Sequence, residues 1–171
     1  MKKIVLSTII ALILFGSCKK EDKCPYTEST ATAPTAERIQ LADYLSAASV
    51  TPMPTEHPSG VFYNIITPGT GASSPNICSG ITVKYTGTFF PSGVQFDASN
   101  DVNVNGVTFA LGQLITGWQK VLPLLKTGGK IIIYVPPSLG YGPYDIRDQS
   151  GAVIMPGNSY LRFEIELVSI Q

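Results

Sequence analysis

Histidine is all but absent. The chain of 171 residues holds one, His57, in the proline-rich stretch Thr51–Pro58 with no acid arranged around it. No segment shows a nucleophile beside a base, so acyl-transfer chemistry of the Ser–His or Cys–His kind has no footing. No segment shows metal-ligand spacing or a glycine-rich phosphate loop either, so no cofactor is expected. Charge is sparse: 14% of residues are charged, 12 basic against 12 acidic, for a formal net charge of zero. With no basic stripe, nucleic acid is not expected as a partner. Internal repeats and a second domain are lacking too, which leaves a glycan-binding or adhesion role without support. The apolar run Ile4–Phe15 is too short to span a bilayer comfortably.

What is present is apolar bulk and turn formers. Hydrophobic residues make up 44% of the chain, enough for a filled core, and 16 Gly with 13 Pro favour a turn-rich β or α+β fold over a helical bundle. The first residues read as a targeting segment: Lys2 and Lys3, then the apolar run, then Gly16-Ser17-Cys18. Small residues directly before a cysteine resemble the lipobox of bacterial lipoproteins, although Phe15 stands where such boxes usually carry Leu. The resemblance implies cleavage after residue 17, lipid on Cys18, a membrane anchor and an outer-membrane destination. Ten basic and twelve acidic residues would then remain. An ordinary secretory signal with an incidental Cys18 is the alternative. The run Lys19–Lys23 reads as a hydrated leash, or else as a surface-export signal.

Residues 18–58 are expected to form a lipidated tether, a short helix and a linker, ahead of a domain at 59–171. Cys24 to about Pro34 is Thr/Ser/Ala-rich and reads as extended. Thr35 is placed as cap of a helix to about Ala48, with Ile39, Leu41, Ala42 and Leu45 on its apolar face. That helix is expected to pack on its own domain or stay loose rather than to dimerise. Cys24 and Cys78 leave open a bridge or two free thiols, since the envelope permits disulfides.

Within the domain, Val61–Ile66 is an apolar strand closed by Pro68-Gly69. Ile81, Val83 and Tyr85 alternate with polar residues, and Pro91-Ser92-Gly93 is a hairpin turn from which Val94–Phe96 returns. Gly117–Leu125 is the best helix, with Pro123 expected to kink or shorten it. Ile131–Val135 is a strongly β run. Leu161, Phe163, Ile165 and Leu167 alternate with Arg162, Glu164 and Glu166 in the clearest period-two strand of the chain. The order implies an α+β fold, with one short helix laid across an antiparallel sheet. Alone, periodicity would place Phe109, Trp118 and Phe163 in the core and make Asp97 a turn acid.

Five motifs change that assignment: VKYTG (Val83–Gly87), QFDAS (Gln95–Ser99), FALGQLITGW (Phe109–Trp118), LGYG (Leu139–Gly142) and LRFEIEL (Leu161–Leu167). In this order and spacing, residues 59–171 resemble the FKBP-type peptidyl-prolyl cis/trans isomerases. The resemblance implies an antiparallel sheet wrapped around a short helix, with a shallow apolar pocket between them. It implies pocket walls of Tyr85, Phe96, Phe109, Leu114, Ile115, Tyr141 and Phe163 over a Trp118 floor, with Ile154 and Met155 on a loop beside them. It further implies that Asp97 faces the rotating carbonyl while the Tyr141 hydroxyl and Ile115 N–H hold the flanking carbonyls. Partners would be proline-containing client proteins of the envelope, and macrolide inhibitors. Two departures stand out: Val102 lies where well-studied members carry an arginine, and the loop between Tyr141 and Ile154 is about five residues longer. The implied function is X–Pro isomerisation in folding; the alternative is a chaperone or protein-binding module on the same fold.

Overall fold

The computed structural model describes residues 24–99 and 105–171; Cys18, the Lys19–Lys23 run and Val102 lie outside them. The period-two segment forms β9 (Tyr160–Ile170), with Leu161, Phe163, Ile165 and Leu167 all buried. A slip of one residue would turn all four outward, and each buried side chain of this size is worth about 1.5–3 kcal/mol. On one side β9 pairs with β3 (Gly80–Phe90), on the other with β6 (Lys130–Val135), both antiparallel. β2 (Phe62–Thr67) continues past β6, and β1 (Thr55–Glu56) pairs with β2. Beyond β3 lie β4 (Gln95–Ala98) and β5 (Val107–Ala110), both paired with it. Among the described residues this makes one seven-stranded sheet in the order β1-β2-β6-β9-β3-β4, with β5 also on β3. The stretch Thr51–Pro58, expected as a linker, thus contributes a strand to the sheet.

β6 is apolar on both sides because both faces of the sheet are covered. Ile131, Ile133 and Val135 join the main core, where α2 (Thr116–Val121) contributes Trp118 and Val121. Tyr134 instead turns to the other face and packs with Phe62 beneath Leu41 and Leu45 of α1 (Thr35–Ala47). Of the two fates expected for α1, packing on its own domain is the one found. Its geometry corrects two details. Pro34, not Thr35, is the N-cap residue and no side chain caps the helix, while Ile39 is 58% exposed. Leu41 and Leu45, four residues apart, form the contact stripe by themselves, with Ala42 at its edge.

α2 is shorter than the nine residues expected. Beyond Val121 the chain tightens into a 3-10 turn, Leu122–Leu124, at Pro123, which has no N–H to donate. Trp118, Val121, Leu122 and Leu125 are buried, as their spacing implies. The long loop after Tyr141 folds on itself as a small hairpin of β7 (Ile146–Arg147) and β8 (Val153–Met155). Cys24 and Cys78 form a disulfide, Cα–Cα 5.5 Å. Among the described residues no helix is long and apolar enough to cross a membrane.

Candidate active site

Strand alternation on β3, β4, β5 and β9 aims aromatic rings at the N-terminal end of α2. The rings form a continuous edge-to-face chain. Phe109 meets Tyr85 with centroids 6.2 Å apart, and Tyr85 meets Trp118 at 5.3 Å. Trp118 meets Phe163 at 5.3 Å, Phe163 meets Phe96 at 5.6 Å, and Phe96 meets Tyr141 at 6.4 Å. Interplanar angles of 83° to 89° along most of this chain match the geometry favoured by ring quadrupoles. Trp118 and Phe163 are buried, and Tyr85, Phe96, Phe109, Leu114 and Ile115 are half-buried and packed against the same core. Tyr141 is 41% exposed at the rim.

The pair expected on the last loop divides. Met155 is buried in the core cluster, whereas Ile154 is exposed. Successive residues of a strand point to opposite sides, so only one of the two can face the core.

Polar groups are few and specifically held. Tyr85 Oη donates to Asp97 Oδ2 at 2.7 Å. Burial, followed by that hydrogen bond to a carboxylate, holds the Tyr85 hydroxyl protonated well past the ordinary tyrosine range. Burial and then the charge of Asp97 push Tyr141 in the same direction. The Asp97 carboxylate is exposed, and Val102, expected where the resembled family carries an arginine, lies outside the described residues. Trp118 Nε1 is buried and has no hydrogen-bond partner among the described residues.

Three supports were not anticipated. Ser99 Oγ accepts from Tyr85 N–H at 2.9 Å, and Ser99 N–H donates to Tyr85 O at 3.0 Å, which latches the end of β4 to β3. Gln119 Nε2 donates to Leu114 O at 2.7 Å, pinning the loop before α2 to the helix. Gly87 leaves room for the rings: a Cβ there would lie 2.8 Å from both Phe163 Cε1 and Phe96 Cζ. Ser99 and Gly87 fall inside the quoted motifs, but a motif does not say which of its residues bond across strands.

An apolar cup with two tyrosine hydroxyls, one carboxylate and no nucleophile–base pair is suited to gripping a ring and polarising a nearby carbonyl. Fold and site together define a small α+β domain in which aromatic rings gather between an antiparallel sheet and a short helix. Comparison with known proteins narrows this. A match to the FKBP-type peptidyl-prolyl cis-trans isomerase family covers residues 71–168, and the chain belongs to that family. It is 38% identical over 128 residues to the outer membrane protein MIP of Legionella longbeachae, covering 75% of this chain and 52% of that protein. It is also 38% identical over 112 residues to a peptidyl-prolyl cis-trans isomerase of Schizosaccharomyces pombe, covering 65% of this chain and 95% of that protein. The crystal structure of FkpA from Escherichia coli superposes with a TM-score of 0.65 at 28% identity, over 80% of this chain and 60% of that one. A peptidyl-prolyl cis-trans isomerase from Pseudomonas syringae gives 0.64 at 28% identity, over 82% and 98%. The chain spans about half the length of the first bacterial relatives it matches.

Proposed function

We propose that this protein is a peptidyl-prolyl cis/trans isomerase that assists the folding of cell-envelope proteins. The observation that carries the reading is the ring chain Tyr85–Trp118–Phe163–Phe96, set in a fold of the isomerase family. An X–Pro amide rotates over a barrier of about 18–20 kcal/mol because resonance keeps it planar. Water stabilises the polarised planar form. Transfer into an aromatic cup removes that hydration, and the twisted transition state has less resonance polarity to lose. In this reading Trp118, Phe96 and Phe163 grip the proline ring, with Phe109 and Leu114 closing the wall. The Tyr141 hydroxyl and Ile115 N–H hold the flanking carbonyls, and the Asp97 carboxylate favours the twisted carbonyl electrostatically. Uncatalysed X–Pro isomerisation takes roughly tens to hundreds of seconds, slow enough to limit folding.

The test is a protease-free isomerisation assay on an X–Pro peptide, with Phe96→Ala and Tyr141→Phe as controls. Turnover in the wild type that falls in both controls supports the reading. A folded wild type with no turnover on several X–Pro peptides overturns it.

One observation favours a second reading, a binding module with weak turnover. Tyr144 is 81% exposed, and Ile146, Val153 and Ile154 are exposed on the same long loop, an apolar surface for unfolded chain. Client holding that survives Phe96→Ala would favour it. Macrolide binding is proposed as well, since several relatives are named FK506-binding proteins.

The proposed organisation is a signal peptide to residue 17, a lipidated tether from Cys18 and an isomerase domain at 59–171. Gly16-Ser17-Cys18 and the name of the MIP relative support an outer-membrane envelope location. Cys18→Ser is expected to abolish palmitate labelling and membrane retention; unchanged retention overturns the anchor.

A further inference from the structure

Residues 24–34 have no regular secondary structure, yet they are not a free tether. Cys24 is bonded to Cys78. Ser29 O accepts from Lys120 Nζ on α2. Ala33 N–H donates to Ser59 O at 2.8 Å, and the Ala33 side chain is part of the main core. Between these fixed points Tyr26 lies against Gly112: a Cβ built on Gly112 would stand 2.6 Å from Tyr26 Cβ. Tyr26 therefore occupies the space that any larger residue at 112 would need. Elsewhere the segment spans more than it fills, leaving a cleft of about 230 Å³ lined by Glu28, Ser29, His57, Gln119 and Lys120. It is a strap attached at discrete points.

What the strap presses on is the back of the site. Gly112 sits in the 3-10 turn Leu111–Gln113, directly before Leu114 and Ile115. At one end of this short loop, Leu111 N–H donates to Ser79 O at 3.0 Å, one residue from the disulfide. At the other end Gln119 Nε2 donates to the carbonyls of Leu114 at 2.7 Å and Gly112 at 3.3 Å. The loop is thus pinned at both ends, and in its middle Tyr26 is the group that fills the open face of a residue with no side chain. A glycine in such a loop has wide backbone freedom unless a neighbour restricts it.

We infer that the strap is a positioning device for the substrate site: Tyr26, held over Gly112 by the Cys24–Cys78 bond, fixes the loop that carries Leu114 and the Ile115 N–H. The inference rests on the isomerase reading. Tyr26 is a positioning residue, acting through the loop, and the ring rather than the hydroxyl does the packing. Ala33 anchors the strap in the core, whereas Tyr26 is only half-buried and lies outside it, so Tyr26→Ala should loosen the loop without unfolding the domain.

The full chain is compared with Tyr26→Ala, Tyr26→Phe and the double variant Cys24→Ser/Cys78→Ser. Three quantities are read: KM and kcat for an X–Pro peptide, the thermal midpoint, and the emission of Trp118, the one tryptophan of the chain. Tyr26→Ala and the double variant should raise KM about five-fold with kcat within about two-fold, since ground-state positioning is lost. Both should shift the Trp118 emission, and Tyr26→Phe should match wild type in every readout. A lowered midpoint with KM and emission unchanged overturns the inference, leaving the strap a mere tie. Absent turnover in the wild type defeats the isomerase reading by itself. The dissociation constant for an Ala-Pro-Phe peptide and the unliganded emission then decide the strap, and wild-type values in the variants sink it.

Discussion

Tyr85 and Asp97 are each other's partner: the phenol donates to the carboxylate at 2.7 Å across the β3–β4 pairing. The bond joins a half-buried ring to an exposed rim, so it orients the Asp97 charge without burying it. Asp97→Asn keeps an oxygen to accept the phenol proton and removes the charge, whereas Tyr85→Phe keeps the charge and removes the donor. If the charge acts on the rotating carbonyl, Asp97→Asn should lower kcat/KM by roughly three- to ten-fold, the size of a solvent-screened charge effect. Tyr85→Phe should then cost less than Asp97→Asn. The reverse order in an isomerisation assay would assign the effect to ring orientation and remove Asp97 from the mechanism.

Burial of the two site tyrosines, reinforced by Asp97, sets an alkaline limit. The folded pKa values of Tyr85 and Tyr141 lie above the unfolded value of 10.0, through burial first and Asp97 second. A group with a raised folded pKa contributes stability that is full below its unfolded pKa and is lost as pH rises through the folded one. Denaturation midpoints should therefore fall above pH 10, with kcat/KM level between about pH 7 and 9 because no site tyrosine titrates there. A Tyr85→Phe/Tyr141→Phe double variant should lose part of the alkaline slope.

Gly87 offers a test of the cup by addition instead of removal. A Cβ at 87 meets Phe163 Cε1 and Phe96 Cζ at 2.8 Å, both on rings of the site. Phe163 is 2% exposed and cannot retreat, so Phe96 must swing. Gly87→Ala should cost about 1–3 kcal/mol by overpacking and raise KM, and chemical denaturation with peptide titration would read both. An unchanged KM would mean that the Phe96 ring is not gripping substrate.

Much of this site could be read from the chain because its residues are local to motifs. Leu161–Leu167 alternates strictly, so β9 and the inward aim of Phe163 follow from period alone. Pro123 announces the early end of α2. Other features depend on partners far along the chain. Nothing near Gly112 signals Tyr26, and nothing near Gln119 separates a surface amide from a clamp on Leu114 O. Ile39 sits at a helical spacing compatible with the apolar face of α1, yet the sheet meets only the Leu41–Leu45 stripe. The Ile154–Met155 pair reads as two equivalent apolar residues until strand geometry divides them.

That stripe carries the next prediction. Leu45 is fully buried against Phe62 and Tyr134 on the face of the sheet away from the site. Leu45→Ala should cost about 2–4 kcal/mol, as large-to-small core changes do. Ile39→Ala, at an exposed position of the same helix, should stay within about 0.5 kcal/mol. On the proposed isomerase function, turnover by both folded variants should equal wild type. A loss of activity in folded Leu45→Ala would show that α1 reaches the pocket through the sheet.

The lone histidine predicts how the molecule responds to acid. His57 Nδ1 accepts from Ser59 N–H at 3.1 Å and lies 2.8 Å from Ser59 Oγ, so the neutral ring carries its proton on Nε2. Burial first, and then the charge of Lys120, lower its pKa from 6.5. Below pH 6.5 the unfolded chain takes up a proton that the folded chain still refuses. Stability contributed by His57 is therefore full above 6.5 and declines as pH falls toward the lowered folded value. Protonation at Nδ1 removes the acceptor for Ser59 N–H, and Ser59 O in turn holds the strap at Ala33. His57→Asn can accept the same N–H two residues on, as Asn does in turns, and carries no titrating group. Urea midpoints measured from pH 7.5 down to 5 should fall more steeply for the wild type than for His57→Asn. Equal slopes would clear His57 of the effect and assign the acid response to the carboxylates.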